Sequence, residues 1–120
     1  MTDERPDENL LRDARELTLI SAGAGGQPQE TPLRFVYRDG VVCLLATTGA
    51  DWYRNIERDH GVVVRVGRRG FRGRAKVYEA RQRAKMIDEV VALFRKKYGA
   101  KGIAEPEKGT LLPVTIDVQF

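Results

Sequence analysis

The spacing of apolar residues divides the chain into strands and helices. In residues 31–37 and 111–120, apolar and polar side chains alternate, which predicts strands with one buried face. In residues 80–98 the apolar positions recur every three or four residues, and Gly99 follows, so we expect a long helix there. Four further strands are predicted at residues 16–22, 41–46, 62–66 and 71–78.

Three other patterns along the chain predict local structure. Residues 51–59 change to a helical period, with Trp52 and Ile56 four positions apart on one face and Asp51 as the expected N-cap. Residues 41–46 are apolar without alternation, which indicates a strand covered on both faces, by a helix or by a second subunit outside the sheet. The first fifteen residues are polar and predict only a loose helix with a weak apolar stripe.

This order of elements predicts an α+β fold, a six-stranded antiparallel split β-barrel with one short and one long helix plus a short N-terminal helix. Closure is expected because it removes sheet edges that would otherwise pair with other chains. The length suits one domain, so we divide the chain into an N-terminal helix or arm, residues 1–15, and a single split-barrel domain, residues 16–120.

Composition narrows the classes of function. No apolar run approaches the roughly 20 residues that cross a bilayer, and the charged first residues do not resemble a signal peptide, so we expect a cytoplasmic protein. The chain has one cysteine, Cys43, and one histidine, His60, which predicts no disulfide and no metal site. Cys43 is expected to pack as a small apolar residue, and His60 to lie at a helix end or on the surface.

The net charge of +4 is concentrated in one place. Six cations and no acid lie between residues 65 and 76, and alternation places Arg72, Arg74 and Lys76 on one face of a strand. Such a row could follow the phosphates of a nucleic acid, with Phe71 and Tyr78 stacking on bases. No RNA-binding signature accompanies it, so nucleic acid is the less favoured partner.

The order of elements, together with residues 31–40, 44–49, 52–56 and 62–67, resembles the FMN-binding split-barrel superfamily of pyridoxamine-phosphate-oxidase-like proteins. Within that superfamily the sequence is most similar to the deazaflavin-dependent nitroreductase family. The resemblance implies a cofactor, coenzyme F-420 or FMN, that transfers a hydride to a small organic acceptor. It also implies a homodimer.

In that family a strand end and the loop that enters the short helix hold the cofactor phosphate. The resemblance therefore assigns cofactor binding to one set of residues: Arg34, Thr47, Thr48, Gly49, Trp52, Tyr53 and Asn55. Hydroxyl groups, a glycine and a helix N-terminus are groups that suit a phosphate. Each residue also has a structural explanation: Thr47, Thr48 and Gly49 as an ordinary entry to a helix capped by Asp51, Trp52 and Tyr53 as core residues, Asn55 as part of a helix cap, and Arg34 as a solvated side chain.

Two departures from the family bear on this site. The loop before the second strand has no cation, and the lysine usual after Thr48 is missing; Arg34 or Arg54 could compensate. The leading hypothesis is a flavin- or deazaflavin-dependent oxidoreductase. The alternatives are a non-catalytic cofactor-binding split barrel and a small basic nucleic-acid-binding module. No catalytic residue is identified; Tyr37 and Tyr53 are candidate proton donors, each with a structural role as the alternative.

Overall fold

The computed structural model describes residues 6–99 and 111–119, and the expected connection at residues 100–110 lies outside them. Ten helices and strands follow one another within these described residues. They are α1 (Pro6–Asp13), β1 (Leu17–Ala22), β2 (Pro28–Leu33), β3 (Val36–Arg38), β4 (Val41–Thr47), α2 (Asp51–Arg58), β5 (Gly61–Val66), β6 (Arg69–Val77), α3 (Ala80–Tyr98) and β7 (Leu111–Val118). Most bounds lie within two residues of the predicted ones.

The strands form one antiparallel sheet in the order β2-β1-β5-β6-β7-β4-β3. Its two edge strands, β2 and β3, are consecutive in the chain, so the sheet curls into a half-barrel. The α+β class is therefore confirmed. The count of six strands is corrected to seven, because the strand expected at residues 31–37 is divided in two.

The division falls at Arg34 and Phe35, where side chains from α3 replace the pairing of a strand. The backbone N–H of Phe35 donates to Tyr98 Oη at 3.1 Å, and its carbonyl accepts from Lys97 Nζ at 3.0 Å. The alternation of the segment survives the break: Phe35 and Tyr37 belong to the core, and Arg34 is exposed. Hydrogen bonds from a distant helix thus interrupt the strand while Phe35 and Tyr37 keep the inner face that alternation predicts, and Val36, on the opposite face, is buried in the outer cluster.

The apolar residues form two clusters on opposite faces of the curled sheet. The larger cluster fills the inside of the half-barrel with residues such as Leu19, Phe35 and Leu44, all fully buried. The smaller cluster lies outside, where Cys43 meets Val90 and other apolar residues of α3. The prediction that β4 is covered on both faces is confirmed, and the cover is a helix of the same chain.

Two short helices lie at the two ends of the half-barrel. Helix α1 lies at the end where β3 finishes and contributes Leu11, fully buried, to the main core. Helix α2 crosses the opposite end, since it joins the last residue of β4 to the first residue of β5. Of the helices in residues 6–99, none is both long and apolar enough to span a membrane.

The outside of the sheet has two halves that differ in cover. Helix α3 packs on β3, β4 and β7, which we call the covered half. The outward side chains of β1, β5 and β6, which we call the open half, are half-buried or exposed, and they include Ile20, Val63, Arg72 and Arg74. The sheet therefore keeps one outer surface accessible in the part of the chain that the structure describes.

Candidate functional site

The expected ligand segment lies at the end of the half-barrel that α2 crosses. Thr47 is the last residue of β4 and pairs with Leu111 of β7. Antiparallel pairing brings the end of β1 at Ala22 and the start of β5 at Gly61 to the same end. Thr47, Thr48 and Gly49 are all exposed there. The hydroxyl groups named from the sequence are thus at the surface beside the start of a helix.

The chain turns into α2 through Gly49, which adopts a positive φ of 88°. A side chain is strained in this conformation, so glycine is required by the turn. The turn is closed by a hydrogen bond from the Ala50 N–H to the Thr47 carbonyl at 3.1 Å.

The expectation that Asp51 caps the helix is wrong. The N-cap is Ala50, which makes no side-chain cap hydrogen bond, and Asp51 is the first helical residue. A cap needs extended backbone, which Ala50 has with φ −62° and ψ 133°. Ala50 therefore leaves the N–H groups of the first turn uncapped by its own side chain, and the Asp51 carboxylate beside them would repel an anion.

Trp52 and Tyr53 lie on the inner side of α2. They are 5% and 7% exposed, and their rings meet edge to face with centroids 6.4 Å apart. Burial raises the pKa of the Tyr53 phenol, and the Glu57 carboxylate raises it further. Both rings belong to the main core, so this chain presents little of their surface to a planar ligand.

Asn55 joins three elements by hydrogen bonds. Its side-chain amide donates to Ser21 Oγ at 3.1 Å and to Gln29 Oε1 at 2.8 Å, and its Oδ1 accepts from Arg58 at 2.6 Å. The residue is 4% exposed. These bonds fix α2 against β1 and β2, so a structural function accounts for every polar atom of this side chain.

Arg34 lies at the break between β2 and β3, away from the other candidates along the sheet. Its guanidinium carbon is 5.3 Å from the centre of the Tyr98 ring, where the guanidinium of Arg15 also lies at 4.7 Å. The Tyr98 hydroxyl is within hydrogen-bond distance of the Arg15 carbonyl, at 2.7 Å. Burial lowers the pKa of the neighbouring Lys97, and the charge of Arg15 lowers it further.

The candidate proton donor Tyr37 and the single cysteine, Cys43, have structural explanations. Tyr37 donates to Glu8 at 2.6 Å and accepts from the Gly40 N–H at 3.0 Å. Burial and Glu8 raise its pKa to about 12. Cys43 packs beneath α3, and burial raises the pKa of its thiol, which leaves it protonated and unreactive at neutral pH.

Phe71 and Tyr78, the two aromatic residues expected to stack on nucleic-acid bases, are placed otherwise. Phe71 is 4% exposed and belongs to the main core. The Tyr78 hydroxyl is hydrogen-bonded to Thr115 Oγ1 at 2.8 Å. Arg72 and Arg74 lie on one outward face of β6, as predicted. Phe71, the aromatic residue within β6, is buried and adds no stacking surface beside them.

One feature of the surface is not predicted by the sequence pattern. A cavity of about 420 Å³ lies on the open half, where Gly61 of β5 and Ile20 of β1 meet Arg72 and Arg74 of β6. The alternation of cations along β6 predicted only that Arg72 and Arg74, which form one wall of this cavity, lie on the same face. The other walls come from strands distant in sequence, which only the sheet order brings together.

Among the described residues, no group of three or more histidine, cysteine, aspartate and glutamate side chains is arranged to hold a metal ion.

Comparisons with solved structures give the fold. A protein described as an F420 reductase superposes with a TM-score of 0.70 at 21% identity, over 94% of this chain and 93% of its own. A FAD-binding protein from Mesorhizobium loti gives 0.71 at 17% identity, over 93% and 86%. A chain described as a domain-swapped dimer gives 0.66 at 21% identity, over 89% and 81%. At these identities the likeness establishes the shared split-barrel fold.

No curated protein sequence matches the chain significantly. A family model does match, and it covers residues 10–118, from α1 through the last strand. The match includes the segment from Thr47 to Asn55 and every strand of the half-barrel, in agreement with the resemblance noted from the residues. The chain belongs to the F420H(2)-dependent quinone reductase family.

Proposed function

We propose that the protein is an oxidoreductase that binds coenzyme F-420 and transfers a hydride from the reduced cofactor to a small organic acceptor, with quinones as the first class to test. The observation that carries this proposal is the family match over residues 10–118. The F420 reductase and the FAD-binding protein with the same fold support a deazaflavin or flavin as the cofactor.

The end of the half-barrel at α2 fits the anionic part of such a cofactor. Thr47 and Thr48 are exposed residues, Gly49 turns the backbone at φ 88°, and the N-cap Ala50 has no side chain that could bond to the first turn of α2. Backbone N–H groups at a helix start attract phosphate, because the helix dipole is positive there. We therefore propose Thr47, Thr48 and Gly49 as the phosphate-binding residues.

The planar part of the cofactor has less support within one chain. Trp52 and Tyr53 are more than nine-tenths buried, and Asn55 is committed to Ser21, Gln29 and Arg58. We propose that these three residues hold α2 in place, so that its N-terminus faces the ligand. When bound, the reduced deazaflavin supplies the hydride, and the protein positions donor and acceptor.

A homodimer is proposed on the same grounds. The resemblance implies it, and the structural relative described as a domain-swapped dimer supports it. Strand β4 no longer argues for it, because α3 covers the outer face that was expected to need a partner. Sedimentation of the purified protein would measure the state directly.

The experiment that tests the function is a titration of the purified protein with coenzyme F-420 and with FMN, followed by fluorescence. We expect micromolar or tighter binding of coenzyme F-420. Anaerobic mixing of the reduced cofactor with a soluble quinone should then oxidise the cofactor faster than it oxidises without protein. Binding of neither cofactor at micromolar concentration would reject the proposal, and binding without turnover would favour the non-catalytic alternative.

The phosphate position is tested by the double variant Thr47→Val and Thr48→Val. Each substitution removes a hydroxyl and keeps the side-chain shape, and we expect the cofactor affinity to fall about tenfold, as for the loss of one hydrogen bond to a charged group. Thr18→Val, on β1 near the opposite end of the half-barrel, is the matched control. Unchanged affinity in the double variant would show that the phosphate binds elsewhere.

A further inference from the structure

The open half of the sheet carries a concave surface that the proposed function does not use. We propose that it binds an amphipathic organic anion, a small molecule with a flat apolar body and a carboxylate, sulfonate or phosphate group. The cavity shares no lining residue with the segment from Thr47 to Asn55, but its Ser21 accepts a hydrogen bond from Asn55, so the test below also measures cofactor affinity.

The register of the strands builds this surface from three elements. Ile20 of β1 pairs with Val63 of β5, and Val63 pairs with Arg72 of β6. Two residues away on each strand, and therefore on the same face, Gly61 of β5 pairs with Arg74 of β6. Two apolar side chains and two guanidinium groups are therefore neighbours on one outward face.

Glycine makes this surface concave. Gly61 stands beside Arg74 without a side chain, and a Cβ added there would contact only Asp59 Oδ1, at 3.4 Å. The resulting cavity has a volume of about 420 Å³, within the range of roughly 300–1,000 Å³ typical of small-molecule sites. Its apolar wall is completed by Ala22 and Pro28. This wall suits the flat body of the ligand.

The two arginines of the cationic wall form no ion pair among the described residues, unlike the other arginines of this hairpin that have acidic partners. Arg65 pairs with Glu30, and Arg69 pairs with Asp7 at 2.9 Å. In contrast, the exposed Arg72 and Arg74 make no ion pair with any residue in 6–99 or 111–119.

Asp117 is the cross-strand neighbour of Arg74, yet the two side chains do not pair. Two guanidinium groups at a strand spacing of two residues face the same side and can share one anion. The anionic group of the ligand is therefore expected at these two arginines.

A second cavity extends the site past Arg74. It has a volume of about 410 Å³ and is lined by Arg74, Lys76, Asp117 and His60 among others. The Nδ1 atom of His60 is buried and has no hydrogen-bond partner among the described residues. A buried polar atom without a partner costs stability unless a ligand or water satisfies it. This atom beside the cationic wall is a second observation in favour of a polar ligand there.

A small molecule fits this surface better than a nucleic acid or a second copy of the chain. Phe71 is buried, and the half-buried Tyr78 ring has Lys76 Nζ 5.1 Å from its centre, so the basic strand offers bases a poor stacking surface. A two-fold axis that passed near Arg72 and Arg74 would bring them close to the same residues of a second copy, and like charges repel. An anion with an apolar body satisfies both walls at once.

The test uses 8-anilinonaphthalene-1-sulfonate, an apolar ring system with one sulfonate, whose fluorescence rises in an apolar site. We expect saturable binding to the native protein with one ligand per chain. In Arg72→Ser plus Arg74→Ser, the affinity should fall about tenfold or more, and the residual binding should depend less on salt. Arg68→Ser, in the turn before β6, changes the same type of charge and should leave the affinity unchanged.

Gly61→Val separates a shaped site from general charge attraction. The added side chain fills the cavity, keeps both arginines and suits a strand, so folding measured by circular dichroism should be preserved. We expect the same loss of affinity, about tenfold, without a change in net charge. Binding that survives Gly61→Val, or that survives loss of both arginines, would overturn the proposal.

Two further outcomes would also overturn it. If Gly61→Val changes the sedimentation of the protein without ligand, this face is an interface between copies of the chain. If the arginine variants weaken the binding of coenzyme F-420 as much as that of the probe, the cavity belongs to the cofactor site. The proposal of a separate site requires that both sedimentation and cofactor affinity stay unchanged.

Discussion

The covered half and the open half belong to one sheet with the same antiparallel pairing, yet their outward side chains differ in chemistry. Under α3, the outward residues Val36 and Cys43 are apolar and more than nine-tenths buried. On the open half, the outward residues include the exposed Arg72 and Arg74. The comparison shows that burial against α3 stabilises one half, whereas the other half keeps accessible groups that can bind a ligand.

The largest effect is expected on the covered half. Phe94 of α3 is 6% exposed and stands in the outer cluster, 5.7 Å from the Tyr98 ring. Phe94→Ala should lower the free energy of unfolding by about 3–4 kcal/mol, through lost burial and the cavity that remains. Urea unfolding measures it, with Lys96→Ala on the exposed side of α3 as control. A loss below about 1 kcal/mol would mean that α3 contributes little to stability.

The next largest effect depends on pH and tests the β3 edge of the covered half. Since the pKa of Tyr37 is raised to about 12 in the folded protein, the unfolded chain loses its phenol proton first, from about pH 10 upwards. Stability should therefore fall as pH rises from 10 to 12, by about 2–3 kcal/mol for this group.

Urea unfolding across this pH range, compared with Tyr37→Phe, isolates the contribution of Tyr37. The lowered pKa of Lys97 acts with the opposite sign, because its unfolded form holds a proton that the folded form has released. An equal slope in both proteins would contradict the assignment to Tyr37.

A smaller effect is expected where the covered half meets the break in the edge strand. Tyr98→Phe removes the hydroxyl that accepts from the Phe35 N–H and leaves that buried backbone group without its partner. We expect a loss of about 1–2 kcal/mol in the free energy of unfolding. Hydrogen exchange should show faster exchange of the Phe35 amide in particular. An unchanged exchange rate of the Phe35 amide would mean that its hydrogen bond to Tyr98 does not stabilise the break between β2 and β3.

The smallest effects should be on the open half. Val63 is half-buried, so Val63→Ala should cost about 1 kcal/mol or less. Arg72→Ser should stay within about 0.5 kcal/mol of the native value, because the side chain is exposed and unpaired among the described residues. Urea unfolding of both variants beside Phe94→Ala measures the contrast. Equal losses in the two halves would remove the distinction drawn between them.

The sequence determined most of the fold, because hydrophobic period reports local structure and the buried face at once. It predicted the bounds of α3 and placed Phe35 and Tyr37 on the buried face of a strand. It also placed the candidate phosphate residues, Thr47 to Gly49, at the entrance to a short helix. Their role in binding stays a prediction.

Tertiary structure decided what depends on contacts between distant residues. Tyr98 divides the predicted edge strand from 63 positions away, and no local pattern reports that contact. Asn55 turns inward because Ser21 and Gln29 meet it across the end of the half-barrel. Gly61 and Arg74 form a cavity only because β5 pairs with β6 in one register. The hydrophobic period of a helix or strand specifies which of its faces is buried. Sheet order and packing specify which residues become neighbours on each face.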